Sequence, residues 1–430
     1  MNFKIRNRLI ALSCFLLFIA IGATFLFSHA IQKPFGIILF IGDGMSPSLL
    51  TATRLYEGGA DYRLALEDFP HTALTRTYGN DFAVPDAASA ATAIATGHRV
   101  NHQSLGIDSE GKFLPTLIEE AANEGRAVGI VSSGTITGET AAAFYAKTLN
   151  SRDQEANAIQ LLKHSSIDLL FGGGSKYFTS TKAENNNEKN SSSSEKDPSK
   201  NLLEALNKKG YIIVNNSKDL ASIPTWKSSP IIALLAENDL HDFSTSEETS
   251  PNSIQPSLPD LVREAIERLQ YHRHGYFLIV DAALIAKAAS LNNAEKLFQS
   301  ILQFDQAIAI ARQYAGPKSL IFVTGKQNLG GLRMNGYPFR NDKGVAVLGI
   351  NAQGAPSITW STGPGHNTTT PSNDNNKENP SILAEPSSFI IPSALGVAED
   401  TVTLGIGPGS EELSGFIDLT SIYHLIKKEL

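Results

Sequence analysis

The sequence predicts an α/β fold: a large, mostly parallel central sheet flanked by helices on both faces, in three layers. Three observations predict it. Short apolar runs rich in β-branched residues lie at 36–41, 127–132, 168–171, 230–235, 275–280, 319–324 and 401–406, and they read as strands buried on both faces. Amphipathic helical patterns at 117–124, 153–163, 202–209, 258–269, 294–314 and 419–428 fall between and after them, and such alternation implies parallel pairing. A hydrophobic fraction of 42% over 430 residues is enough for so large a core.

The first segment stands apart from this pattern. Lys4, Arg6 and Arg8 precede an apolar run from Leu9 to Phe27, about 19 residues long and so just enough to span a bilayer. Ser28, His29 and Ala30 form a small-x-small pattern suited to cleavage after Ala30. Residues 1–30 are thus either a signal peptide or an inner-membrane anchor formed by 9–27. Both readings export the rest of the chain to the periplasm or cell envelope, with the basic end staying inside. Cys14, the single cysteine, lies in this run, so the exported part has neither a disulfide nor thiolate chemistry. A net charge of −7 and a pI near 5.8, with no dense basic run, exclude a general nucleic-acid binder.

The remainder, 35–430, reads as one domain. Two stretches rich in Asn, Ser, Thr and Lys, 182–200 and 367–379, cannot bury enough apolar surface to order themselves and are expected to be flexible surface insertions. Parallel sheets bind ligands at the carboxyl ends of their strands, so function is sought in the residues just after each run. The first run ends in Gly42, Asp43 and Gly44, an acid on a sharp turn. Val84-Pro85-Asp86-Ala87-Ala88-Ser89-Ala90-Ala91-Thr92-Ala93 is a helix start made of small residues, which lets a ligand approach its N-terminus closely. Further motifs lie beyond it in order: Thr140 to Ala146, Ser151-Arg152-Asp153, Phe171 to Phe178, Phe277 to Asp281, Phe304-Asp305-Gln306-Ala307, Trp360 to Gly363 and Gly407 to Glu411.

These motifs, in this order, resemble the alkaline phosphatase family over residues 35–430. The resemblance implies the alkaline phosphatase-like three-layer fold, phosphate monoester hydrolysis, and two zinc ions and one magnesium around an attacking serine. It places Asp43 as the carboxylate between zinc and magnesium, Thr140 and Asp281 at the magnesium, Asp86 beside the nucleophile, Arg152 on the phosphate oxygens and His366 at a zinc. Many members of that family dimerise, so a homodimer is a further expectation.

The same resemblance exposes departures. Ala87 stands at the nucleophile position, Gly138 replaces a polar residue near magnesium, and Asp281 is one carbon shorter than the family's glutamate. Ala286, Ser290, Lys326 and Gln327 occupy positions of zinc ligands. One zinc would keep only His366 and the other only Asp43, whereas a catalytic zinc needs about three protein ligands. Magnesium tolerates several waters, so one weak magnesium site at Asp43, Thr140 and Asp281 stays compatible with the residues. Ser89 lies two positions past Ala87, about 200° around a helix, and should point away from the pocket. Lys326 is expected to fill the charge void left by zinc and pair with Asp43, leaving with Arg152 a small site for phosphate or a phosphomonoester. Three readings are compatible with these residues: a catalytically degenerate relative, or pseudoenzyme, acting by binding in the envelope; a working phosphatase with a reorganised site; and another hydrolase on the same scaffold.

Overall fold

The computed structural model describes residues 3–30, 35–163, 166–179, 202–240, 255–336, 338–369 and 382–430. The expected insertion at 182–200, and 370–379 of the second, lie outside the described residues. The strands are β1 (Gly36–Ile41), β2 (His71–Arg76), β3 (Ala127–Thr135), β4 (Leu169–Gly173), β5 (Ile212–Val214), β6 (Ile231–Leu234), β7 (Tyr276–Asp281), β8 (Leu320–Thr324), β9 (Asn328–Leu329), β10 (Arg333–Met334), β11 (Ile358–Gly363), β12 (His366–Thr369), β13 (Ile382–Glu385), β14 (Ser387–Ile390), β15 (Gly396–Val397), β16 (Thr401–Ile406) and β17 (Gly415–Asp418). The helices are α1 (Phe3–Ala30), α2 (Pro47–Gly58), α3 (Ala87–Thr96), α4 (Leu117–Asn123), α5 (Glu139–Ala142), α6 (Gln154–Gln160), α7 (Lys176–Thr179), α8 (Leu202–Lys208), α9 (Ser217–Ser222), α10 (Leu258–Leu269), α11 (Ala283–Ser290), α12 (Ala294–Tyr314) and α13 (Leu419–Glu429).

The main sheet has ten strands in the order β17-β2-β16-β8-β1-β7-β3-β4-β6-β5. All neighbours run parallel except β16, which is antiparallel to both β2 and β8. Strand β1 shows why the sheet sits at the centre. Its six residues are all buried, with Ile38 and Phe40 in one apolar cluster and Ile37, Leu39 and Ile41 in the other. Helices α2, α10, α11 and α12 cover the first face, and α3, α4, α5, α8 and α13 the second. Helix α1 is long and apolar enough to cross a membrane by length and composition.

The expected elements are present, with boundary shifts of up to three residues. The edge beyond β16 is not marked in the sequence, because β2 and β17 are half-exposed and carry no continuous apolar run. Helices α2 and α11 likewise do not stand out by periodicity. Of the second expected insertion, 367–369 belong to β12, which pairs antiparallel with β13 from His366↔Glu385 to Thr369↔Ile382. Backbone pairing overrides a composition that offers little apolar burial. The Phe304-Asp305 motif has a structural task. The buried Asp305 carboxylate accepts the backbone N–H groups of Ala65 and Leu66, each at 2.9 Å, and so ties the chain before β2 to α12.

Glu385 plays a similar part at the end of β13. One carboxylate oxygen accepts both the Trp360 Nε1–H and the Ala294 N–H at 3.0 Å, joining β13, β11 and α12. Burial pushes its carboxyl up to about 7, against the lowering effect of those hydrogen bonds. The folded chain therefore holds a proton that the unfolded chain releases above pH ~4.5. This stability is full below that pH and is lost as pH rises through about 7. Glu385→Gln keeps the acceptor and removes the titration. Denaturation curves from pH 5 to 8 should show the variant losing less stability than the wild type, by on the order of 2–3 kcal/mol.

Candidate active site

The central strands are in register where they end. Ile41 pairs with Asp281 on β7 and with Thr324 on β8, and Ser132 on β3 pairs with Asp281. The loops after them are stitched together by backbone: Gly42 N–H donates to Thr324 O at 2.9 Å and Gly44 N–H to Gln327 O at 2.6 Å. Gly44 adopts φ +70, a left-handed conformation that favours glycine and lets the chain double back after Asp43.

This turn sets Asp43 against Lys326. The Lys326 ammonium donates to both Asp43 carboxylate oxygens at 2.5 Å, and both side chains are under 5% exposed. Asp281 lies beside the pair and accepts the Ser132 hydroxyl at 2.8 Å. Burial pushes Asp281 up to about 7. The Lys326 charge and the Ser132 hydrogen bond pull it back down, and the Asp43 and Asp239 carboxylates push it up. Ser132 and Asp239 are not singled out by the sequence motifs, although Ser132 ends a strand run, where ligand groups are to be sought. Asp239 accepts the Thr135 N–H at 3.2 Å and pairs with Lys287 at 3.4 Å.

Around this centre the other expected residues take definite places. Asp86 is the N-cap of α3; one oxygen accepts Ser89 N–H at 2.8 Å and the other Gln103 N–H at 2.7 Å. Ala87 is the first residue of that helix. The Ser89 hydroxyl is spent on the Asp86 backbone, within a capping box, and is buried. Arg152 is exposed. Its loop is held to the 103 turn by Ser151 N–H to Gln103 O at 2.9 Å, and to α5 by the Ser151 hydroxyl on Glu139 at 2.6 Å. Thr140 is buried in α5, which packs on α3 and β7.

The expected zinc positions are occupied by groups with local tasks. Ala286 and Ser290 share one face of α11, and the Ser290 hydroxyl donates to Lys287 O at 2.7 Å. Gln327 is buried and its carbonyl serves Gly44. His366 is half-buried on β12; desolvation lowers its pKa, and the charge of Glu295 on α12 opposes this. Among the described residues no three His, Cys, Asp or Glu side chains converge as a metal ligand set.

Comparison with known proteins decides the ancestry. Sequences described as alkaline phosphatase define a family pattern that matches residues 36–430. The chain belongs to the alkaline phosphatase family. It is 28% identical over 325 residues to alkaline phosphatase 4 of Bacillus subtilis, covering 73% of this chain and 65% of that one, just under two thirds of its length. It is 25% identical to alkaline phosphatase of Gadus morhua over 91% of both chains. In fold it superposes on the alkaline phosphatase of the Antarctic bacterium TAB5 with a TM-score of 0.70 and 23% identity, covering 93% of this chain and 98% of that one. The Thermus thermophilus alkaline phosphatase gives a TM-score of 0.70 at 19% identity, covering 93% and 92%. A mutant of the TAB5 protein was solved with magnesium bound in its M3 site.

The buried Lys326–Asp43 pair at the strand ends can be tested on stability alone. Lys326→Met leaves Asp43 buried without a partner and should cost about 3–5 kcal/mol in denaturant titration. Adding Asp43→Asn should return much of that loss, because an unpaired charge, rather than lost packing, causes it.

Proposed function

We propose that this alkaline phosphatase family member no longer hydrolyses phosphate monoesters and acts in the cell envelope by binding. The observation that carries this reading is the Lys326 ammonium seated on both oxygens of Asp43. In the family scheme that carboxylate serves zinc and magnesium. A zinc ion at Asp43 would have to expel a buried ammonium and strand its charge, at a cost of about 3–5 kcal/mol. That is a loss of roughly two to four orders of magnitude in affinity. The residues present thus do not fit a pair of zinc ions: Ala286, Ser290, Lys326 and Gln327 offer no carboxylate or imidazole, and His366 stands beside Glu295. Thr140 and Asp281, with waters, are what is left for one weak magnesium ion.

Ala87 compounds the loss, since the position that should attack phosphorus carries a methyl group. Ser89 is no substitute, because its hydroxyl is engaged in the cap of α3. With nucleophile and metals both missing, most of a barrier reduction that exceeds about 8 kcal/mol in typical enzymes is forfeited. Arg152 is exposed on the loop that Ser151 ties to the 103 turn beside Asp86, with a planar fork suited to phosphate oxygens. Lys326, by contrast, is already committed to Asp43, so we assign phosphate or phosphomonoester binding to Arg152 with little help from Lys326. Export by the 1–30 segment belongs to the same reading, as does retention in the membrane by 9–27.

Two experiments test it. Purified protein should carry well under one zinc per chain, and neither it nor Ala87→Ser should turn over an aromatic phosphate ester. About two zinc per chain with turnover would overturn the degenerate reading and favour a reorganised, working phosphatase. Calorimetry with inorganic phosphate should give weak, millimolar binding that Arg152→Ala abolishes; no heat at millimolar phosphate would remove the binding part of the proposal.

A further inference from the structure

At the opposite ends of the central strands from Asp43 lies a surface that the family chemistry does not use. Phe35, just before β1, is 38% exposed, and its carbonyl accepts Tyr276 N–H at 3.0 Å and the Arg126 guanidinium at 3.1 Å. The turn at 271–275, between α10 and β7, is therefore its immediate neighbour. This turn presents Tyr271, 61% exposed, then the exposed His272, Arg273 and His274. Tyr271 and His272 share a cavity wall with Trp226, which is 71% exposed, and with exposed Lys227. Lys318, also exposed, enters from the loop before β8, where its carbonyl accepts Phe35 N–H at 3.2 Å.

The loop that carries Trp226 is held in place. The Arg268 guanidinium, itself 3% exposed, donates to Leu220 O and Ile223 O at 2.9 Å and pairs with Glu264. Lys227 N–H closes a turn on Pro224 O at 3.0 Å, with Trp226 inside it. A fixed tryptophan and a tyrosine left in water, among Lys227, Arg273 and Lys318, have the composition of a bilayer interface, where amphipathic rings sit at headgroup level and basic groups meet anionic lipid. Acidic groups border the patch: Asp168 lines the cavity and Glu124 stands near Arg126. Asp168 is drawn inward by Val128 N–H at 2.8 Å.

Chain length names the occupant. Helix α1 ends at Ala30, and five residue steps at no more than about 3.6 Å each reach Phe35, so Phe35 lies within about 18 Å of the end of a membrane-spanning helix. We propose that this surface, formed by Phe35, the 225–229 loop and the 271–275 turn, rests on the bilayer that α1 spans, with Trp226 and Tyr271 in the headgroup layer. The inference rests on the anchor reading of α1. It places Asp43 at the far end of β1, up to about 20 Å from the lipid, since six strand residues at about 3.3 Å separate the two ends.

The chain has two tryptophans, and Trp360 is buried, so a lipid-borne quencher reaches Trp226 and spares Trp360, whose emission Trp226→Phe isolates. Full-length protein is placed in nanodiscs of phosphatidylcholine and phosphatidylglycerol, with or without bromine on the acyl chains near the headgroup. The expected result is that brominated lipid removes about half of the Trp226 emission, the component absent in Trp226→Phe. Raised salt, or the triple change Lys227→Glu, Arg273→Glu and Lys318→Glu, should weaken that quenching. Co-elution with nanodiscs but equal emission in both lipids overturns the docking and leaves the anchor standing. Failure to co-elute with nanodiscs overturns both.

Discussion

Everything at the candidate site depends on β1 lying between β7 and β8 with its six residues buried on both faces. Because Ile41 is in register with Asp281 and with Thr324, three strands finish together, and the loops after them must share one small space. The two faces also divide the labour of packing. Ile38 and Phe40 hold the long α12 and its partners, whereas Ile37, Leu39 and Ile41 hold the small-residue helix α3. Small side chains on α3 let it pack closely with α5 and α13 over this second face. Short loops tied by Gly42 and Gly44 leave little freedom for Asp43.

Within that space the charges balance without help from outside. Lys326 faces Asp43, Asp281 sits close to neutrality with Ser132 on it, and Lys287 answers Asp239. Desolvation makes an unanswered charge costly at the depth of Lys326 and Asp43, so a change in either constrains the other. The same logic explains why Ser290 and Gln327 are not loose polar relics. The first turns its hydroxyl back onto its own helix, and the second lends its carbonyl to the Gly44 turn. Glu385 shows the opposite case, a buried carboxylate that no cation answers and that therefore keeps its proton into the neutral range.

The sheet centre was legible in the sequence because strands buried on both faces write themselves as largely apolar runs, and both the parallel β1 at 36–41 and the antiparallel β16 at 401–406 could be bounded to the residue. The edge formed by β2 and β17 was not, since half of each strand faces water and the local pattern resembles a loop. Of the site, the ordered motifs marked the positions, and the Lys326–Asp43 contact could be anticipated from charge. What could not be read were the partners supplied by tertiary packing: Ser132 for Asp281, Asp239 for Lys287, and the antiparallel pairing that takes up His366. Asp86 reads as a site acid from its motif, yet its two oxygens are filled by backbone N–H groups that only the fold brings together.

A cation built into the chain differs from a bound ion in one respect that reaches beyond the pocket. Zinc arrives from solution, obeys mass action and can be withdrawn by any competing chelator. The Lys326 ammonium is made with the protein, and its local concentration at Asp43 does not depend on supply. The positive charge at Asp43 is therefore present as soon as the chain folds, whatever ions surround it.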